Sequence, residues 1–373
     1  MRGSVKKDKK TGKYYFVIDI GKDPLTGKRK QKKKRGFKTK KEAEKALAAL
    51  LNELNEGTYI EPSKQLYIDY FNEWLISKEH QLSIQTIKAY KSYLKTHISP
   101  ALGHLQLSSL TPLHIQKFVA GLRDKGLSET TVKRIFNVVN ASLNSAVKME
   151  LLKKNPASSI EKPKWDSKEI TIWNLQQVTA FLKIAKSSHY YTAFLLAIMT
   201  GMRQGEILGL RWRDVDFKNE CLYIRQTLTH DGKGFKEGAK SKAGNRSIGL
   251  DANTLSALKQ QRKIVIANKL KYGSAYNNFD LVVCTSKGKP IHPRNLLRTF
   301  DNLIIKANLP KIRFHDLRHT HASLMLQQGE NIKLISERLG HSSVKITLDT
   351  YSHVLPNMQK EASKRLANQL FNS

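Results

Sequence analysis

Phe314 to Pro356 reads FHDLRHTHASLMLQQGENIKLISERLGHSSVKITLDTYSHVLP, and how it is read decides the fold and the chemistry. It carries His315, Arg318, His341 and Tyr351, spaced at three, twenty-three and ten residues. Positions i and i+3 of a helix share a face, so His315 and Arg318 point at one object. A guanidinium presents a fork of N–H donors that matches phosphate oxygens. His341 follows Gly340, a helix-stopping residue, and Tyr351 lies in TLDTYSHV. Three readings compete: a basic packing surface, a histidine metal site, and a phosphate-handling site containing a tyrosine. His315 and His319 are i and i+4, as a metal pair would be. His321 leaves that face, however, and no acidic cluster supplies further ligands, so no metal is expected.

Working outward, the whole chain favours a polyanion. Its 373 residues hold 65 Lys+Arg against 31 Asp+Glu, a formal net charge of +34. Each cation set against a phosphate releases a condensed counterion, so such a surplus suits nucleic acid. The longest apolar run, Ala193 to Met199, is too short to span a bilayer. The basic N-terminus has no apolar signal segment, and two isolated cysteines, Cys221 and Cys284, form neither a zinc spacing nor a disulfide framework. The expectation is a protein of a reducing cytoplasm with no membrane partner.

Residues 1–57 hold 18 Lys+Arg and 7 Asp+Glu. KYYFVIDI (Lys13–Ile20) reads as a strand, and KQKKKRGF as a second, very basic one ending at Phe37. Lys30, Lys32, Lys33, Lys34 and Arg35 are its candidate DNA contacts, as in a β-ribbon lying in a groove. A solvated edge strand is the bland alternative. A helix follows, with Thr39 and Glu42 as its capping box and Gly57 as its stop. GKDPLTGKR between the strands imitates a phosphate loop, but Arg29 stands where Ser or Thr is needed, so it reads as a turn. Residues 66–160 show four helix-period segments, a bundle with Lys88, Lys91, Lys95, Lys133 and Arg134 on its polar faces. Lys153 to Glu169 reads as an extended linker, and 170–373 as a mainly helical domain with short strands at CLYIRQTLT, NRSIGL and FDLVVCT.

That last domain holds two more cationic places: Arg203 in TGMRQGEILGL and Lys242 in KSKAGNRSIGL. Each has a plain reading alone. Arg203 could pair with Glu206, Lys242 could be a solvated turn, His341 a cap, Tyr351 core. Together they are an odd core and a natural phosphoryl-transfer site.

TGMRxGE, SKxG, HDLRHT, LGH and TxxxYxH, in this order, resemble the tyrosine recombinases, specifically phage and mobile-element integrases. The resemblance spans nearly the whole chain. It implies a multidomain fold: a small α+β arm-binding domain with a three-stranded sheet plus helix, an all-α core-binding four-helix bundle, and a mixed, mainly-α catalytic domain with a small β-sheet. It implies Tyr351 as nucleophile on a DNA phosphate, leaving a 3′-phosphotyrosyl link. His315 accepts its proton, Arg203 and Arg318 clamp the non-bridging oxygens, and Lys242 protonates the leaving 5′-oxygen. His341 bonds the phosphate, Glu206 holds Arg203, and Asp316 is structural. The link conserves the phosphodiester's energy, so no ATP, metal or other cofactor is implied. The implied partners are double-stranded DNA with core-type and arm-type attachment sites, three further copies in a tetramer, an excision factor and a host DNA-bending protein. The tail PNMQKEASKRLANQLFNS reads as an amphipathic helix with Met358, Ala362, Leu366 and Leu370 on one face, packing on its own domain or reaching a neighbour. Rival readings are a non-catalytic DNA-binding regulator, a type IB topoisomerase-like enzyme, and a chromosome-dimer resolvase, which lacks the N-terminal domain.

Overall fold

In the computed structural model, residues 3–22, 27–60, 63–164, 171–238 and 245–351 are described, with 363, 367, 370 and 371 beyond them. The chain divides into two compact units, Met1–Ser167 and Lys168–Ser373.

The first unit begins with strands β1 (Gly3–Lys7), β2 (Tyr14–Lys22) and β3 (Arg29–Phe37), antiparallel in that order. A β-strand sends alternate side chains to opposite faces, and Phe16 and Ile18 of β2 both bury on one. Helix α1 (Lys40–Asn55) covers that face with Leu47. The Thr39–Glu42 capping box forms as the sequence predicts, closing orphan N–H groups at the start of α1. The basic strand β3 is an edge strand, and the tip of the β2–β3 connection, 23–26, lies outside the described residues.

Helices α2 (Tyr67–Ser77), α3 (Ile84–Tyr93), α4 (Pro112–Asp124) and α5 (Glu129–Lys148) follow, with Ser83, Thr111 and Ser128 as side-chain caps. Their core includes Tyr67, Phe71, Trp74, Ile98, Phe118 and Phe136. The Tyr67 hydroxyl lies 2.7 Å from Ser142 Oγ, and the Tyr70 hydroxyl donates to the Ser142 carbonyl at 2.7 Å, tying α2 to α5. One difference from expectation is that α3 passes into a π-helix over Leu94–Gly103. Pro100 sits inside it. Proline lacks an N–H and crowds the carbonyl one turn back, which a wider ladder relieves. The expected extended linker also begins differently. Asn155 caps a short 3-10 turn at Pro156–Ser159 and buries Pro156 and Ala157, while 165–170 lie outside the described residues.

The second unit holds α6 (Leu175–Ala185), α7 (Tyr191–Thr200) and α8 (Gln204–Gly209), then strands β4 (Val215–Asp216), β5 (Cys221–Ile224), β6 (Gln226–Leu228), β7 (Phe235–Glu237) and β8 (Arg246–Gly249). Strands β4, β5 and β8 form one small sheet, and β6–β7 a separate ribbon. Helices α9 (Ala252–Tyr272), α10 (Pro293–Lys306), α11 (Asp316–Gln327), α12 (Ile332–Leu339) and α13 (Val344–Tyr351) complete it. The expected strand FDLVVCT makes only isolated bridges, at Leu281 and Cys284. Its backbone is satisfied differently: the Val282 N–H donates to Leu210 and the Val282 carbonyl accepts from Gln261.

An aromatic cluster of Trp173, Phe181, Phe194, Phe300 and Phe314 forms the core, with ring centroids 5.0 to 6.2 Å apart. Each buried aromatic contributes roughly 1.5–3 kcal/mol. Phe314 immediately precedes α11, and the Trp173 N–H donates to Thr320 Oγ1 of α11 at 3.2 Å. The core therefore fixes the helix that carries Arg318. Of the tail, Met358, Ala362 and Leu366 lie outside the described residues, while Leu370 is exposed. No helix among the described residues is long and apolar enough to cross a membrane.

Candidate active site

Two left-handed glycines shape the site. Gly201 (φ 65°) caps the end of α7, and Gly340 (φ 68°) caps the end of α12. Only glycine adopts this conformation without steric cost. At Gly201 the need is doubled, because a Cβ would stand 2.6 Å from Leu339 and 2.7 Å from His321. These helix ends present carbonyls to two arginines. Arg318 Nη1 donates to the Gly201 carbonyl at 2.8 Å and Nη2 to the Leu339 carbonyl at 2.5 Å. Arg203 Nη2 donates to the Gly340 carbonyl at 3.3 Å. A helix C-terminus carries partial negative charge, so cations suit it. Burial first, then the Arg203 charge, lowers the Arg318 pKa to about 9, which leaves it charged at neutral pH.

Beneath them Glu206 is 3% exposed and organises the charges. It accepts from Arg203 Nη1 at 2.8 Å and from the Arg203 N–H at 2.9 Å. Arg246 Nη2 donates at 2.9 Å to Oε2, the oxygen that also accepts the Arg203 N–H. Burial would raise the Glu206 pKa, but the Arg246 hydrogen bond and the two arginine charges outweigh it, and the net shift is downward. Removing one partner from a buried charge cluster costs about 3–5 kcal/mol. Glu206→Ala is therefore expected to lose that much stability in urea unfolding. An unchanged midpoint would show that Glu206 does not hold the arginines.

Arg203, His315, Arg318, His319, Gly340 and His341 line one cavity of about 360 Å³, together with Ser342, Ile346 and Thr350. Four of the six residues singled out for catalysis thus come together. His315 keeps much of its surface open to solvent, but partial desolvation of its imidazole among its neighbours, then the Arg318 charge, lowers its pKa. His341 Nδ1 lies 2.8 Å from Thr347 Oγ1, which ties the α12 cap to α13. Tyr351 does not line the cavity. It is 2% exposed in a small core with Ala322, Leu326, Ile335 and Leu339, and burial raises its pKa although Arg318 pulls the other way. Its hydroxyl lies 2.8 Å from Nδ1 of His319, not against His315. Lys242 lies outside the described residues. Asp316 is buried and paired with Arg313, 2.7 Å away.

Three site residues escaped sequence reading. Arg246 shares one face of β8 with buried Ile248, and buried Leu250 follows the strand in the same period, so period two already marks it as pointing inward and needing a carboxylate. His319 was visible only as the helical neighbour of His315. His321, whose Nδ1 lies 2.8 Å from the Ile198 carbonyl, carries no local signal. Burial lowers the pKa values of His319, His321 and His341 to about 4, from 6.5. The unfolded chain, with histidines near 6.5, therefore binds protons that the folded one refuses. That contribution to stability is complete above about pH 6.5 and is lost as pH falls toward 4. The well-buried His321 alone accounts for about 3 kcal/mol. The melting temperature is expected to fall steadily over that window, and a flat profile would contradict neutral, buried imidazoles. Among the described residues no group of three or more His, Cys, Asp or Glu is gathered to hold a metal ion.

The basic candidates of the first unit stay spread over its surface. Lys32 Nζ donates to the Tyr59 hydroxyl at 2.8 Å, and Lys33 sits 4.2 Å over the Tyr15 ring. Lys34 lies 5.9 Å over Phe37, while Arg35 is exposed and Lys30 half-buried on the same strand. Lys88, Lys95 and Arg134 are exposed, Lys133 is half-buried, and Lys91 pairs with Glu79 at 3.2 Å.

Comparison with known proteins agrees along the length of the chain. The profile of the phage integrase family matches residues 170–358, an arm DNA-binding domain matches 4–54, and a phage integrase N-terminal SAM-like domain matches 67–123. A tyrosine recombinase XerC-like protein of Caldanaerobacter subterraneus subsp. tengcongensis is 31% identical, covering 97% of this chain and 98% of its own. The ICEBs1 integrase of Bacillus subtilis is 28% identical over 98% of this chain and 100% of its own. The Tn1549 transposon integrase, solved in complex with a circular intermediate DNA, superposes with a TM-score of 0.69 at 20% identity, covering 81% of this chain and 99% of that one, and so shares the fold. With its arm, SAM-like and catalytic regions all matched in order, the chain belongs to the phage integrase family, that is, to the tyrosine recombinases.

Proposed function

We propose that this enzyme integrates and excises a phage or mobile element by site-specific recombination, with Tyr351 as its nucleophile. The observation that carries the reading is the shared cavity: two guanidiniums and three histidines line one space of about 360 Å³, and the tyrosine hydroxyl meets one of those histidines from behind. Arg203 and Arg318 take the non-bridging oxygens as charge builds, which preorganised donors stabilise far better than water does. His315 and His341 complete the hold on the phosphate. The Tyr351 oxygen forms a bond to phosphorus as its proton passes to a histidine at the start of α11, the bond to the 5′-oxygen breaks, and Lys242 protonates that oxygen. A free 5′-hydroxyl later reverses the step. The phosphotyrosyl bond conserves the energy of the phosphodiester, so the chemistry needs neither ATP nor metal.

Residues 1–57 act as the arm-binding domain, 66–160 as the core-binding domain, and 170–373 as the catalytic domain. Lys30, Lys32, Lys33, Lys34 and Arg35 serve the arm sites. Lys88, Lys91, Lys95, Lys133 and Arg134 serve the core sites. Exchange between two duplexes breaks each of four strands once, so the working form is a tetramer on DNA in the bacterial cytoplasm. An excision factor and a host DNA-bending protein set direction. Incubating the protein in EDTA with nicked duplexes tiled from the DNA flanking its own gene tests this. A protein–DNA adduct that survives denaturing electrophoresis is expected. Tight binding with no adduct would favour a regulator, and supercoil relaxation on DNA lacking any attachment site would favour a topoisomerase.

A further inference from the structure

The two histidines of the α11 N-terminal turn do different work. His315 faces the cavity and is open to solvent. His319 lines the same cavity, yet its Nδ1 lies 2.8 Å from the Tyr351 hydroxyl, and the two rings pack at 5.7 Å. It reaches both the space where a phosphate would sit and the group that would attack it. We infer that His319, rather than His315, takes the phenolic proton of Tyr351 as the tyrosine attacks DNA. The inference rests on the reading of Tyr351 as nucleophile.

A general base must first lie within hydrogen-bond reach of the proton it removes, and only then have a suitable pKa. The 2.8 Å contact meets the first condition. Burial keeps the phenol protonated. Burial first, then the His315 charge, keeps the His319 imidazole neutral. In the tautomer with hydrogen on Nε2, the phenol donates to the Nδ1 lone pair, and this is the tautomer the inference requires. The ionisable groups facing His319 are His315, Arg313, Asp316 and Arg318 around its own helix, Tyr351 from α13 and His341 beyond the end of α12. Cations dominate this set, which makes His319 a weak base at rest. A phosphodiester entering the cavity adds the negative charge that stabilises an imidazolium. Proton acceptance is thereby linked to the presence of DNA.

The step balances without another reactant. An oxygen lone pair of Tyr351 forms the O–P bond, the phenolic proton moves to His319 Nδ1, the bond from phosphorus to the 5′-oxygen breaks, and that oxygen takes its proton from the general acid of the proposed function. On religation the 5′-hydroxyl attacks, the phenolate departs, and His319 returns the proton. His315, whose ring meets that of His319 edge-on at 5.3 Å, is left free to bond the phosphate.

Single-turnover cleavage of the nicked duplexes by H319N, H319A and H315N, with DNA binding measured in parallel, tests the assignment. Asparagine places an amide where Nδ1 stood, so it can hold the phenol but cannot take its proton. Both His319 variants are expected to bind DNA like the wild type and to cleave about 10²–10³-fold more slowly at pH 7. Their rates should climb about tenfold per pH unit toward pH 9, as phenolate forms without help. Added imidazole should restore part of the H319A rate. H319N cleaving within about threefold of wild type, or the steep pH dependence appearing in H315N instead, would overturn the inference. The two readings fail separately. No adduct from the wild type removes the nucleophile assignment, whereas a wild-type adduct with fast H319N cleavage removes only the base.

Discussion

Tyr351→Phe is expected to bind attachment-site DNA with wild-type affinity and to form no covalent adduct with it. The substitution removes one oxygen from a ring that is 2% exposed and packed against Ala322, Leu326, Ile335 and Leu339. Those apolar contacts are retained. The lost bond to His319 Nδ1 is a neutral pair, worth about 1 kcal/mol. The fold and the cavity should therefore survive, and with them the contacts on DNA proposed for Arg203, Arg318, His315 and His341. What disappears is the oxygen proposed to attack. Replacing the hydroxyl removes a covalent step rather than weakening it, so the expected effect is complete. A gel-shift titration beside a denaturing gel measures both halves. An adduct from the Phe variant would mean that another side chain is the nucleophile. Loss of both adduct and DNA binding would mean that the Tyr351 ring itself shapes the DNA-binding surface.

The sequence made the polar constellation legible, and it left unread the apolar geometry that arranges it. Arg203, His315, Arg318 and His341 were readable because phosphate chemistry demands a rare combination of residue types, and that combination survives in linear order. The arm sheet was readable because KYYFVIDI is an aromatic and β-branched run, and α1 because Thr39 and Glu42 mark its start. FDLVVCT was misread because a short buried apolar run looks the same whether its N–H groups enter a ladder or meet single partners such as Leu210. The hydroxyl contact of Tyr351 was unreadable for a similar reason. His315 and His319 are both histidines on one helical face, and only the packing of α13 against α11 and α12 decides which of them meets the phenol. Arg246 shows the intermediate case. Its strand alternation was on the page, but the carboxylate that answers it lies forty residues upstream, at Glu206.

Arg318→Ala should cost more than any other substitution in the phosphate clamp, because Arg318 has two tasks. As a donor to developing charge, a single preorganised group is worth about 10²–10³ in rate, and an arginine on a transferring phosphoryl group about 10³ or more. As a structural tie, it fills two buried carbonyls, Gly201 and Leu339, that join the ends of α7 and α12. A buried acceptor left without its donor costs about 1–3 kcal/mol. The alanine variant is thus expected to cleave at least about 10³-fold more slowly and to melt earlier. Arg318→Lys separates the tasks. An ammonium keeps the charge but has no planar fork, so it cannot span both carbonyls and also face the cavity. It should regain part of the lost stability and little of the lost rate. Thermal melts and single-turnover cleavage of the same nicked duplex read the two tasks independently. A lysine variant that cleaves within about tenfold of wild type would show that the site needs only a positive charge at this position, and that the fork held by the two helix ends is a packing device rather than a phosphate clamp.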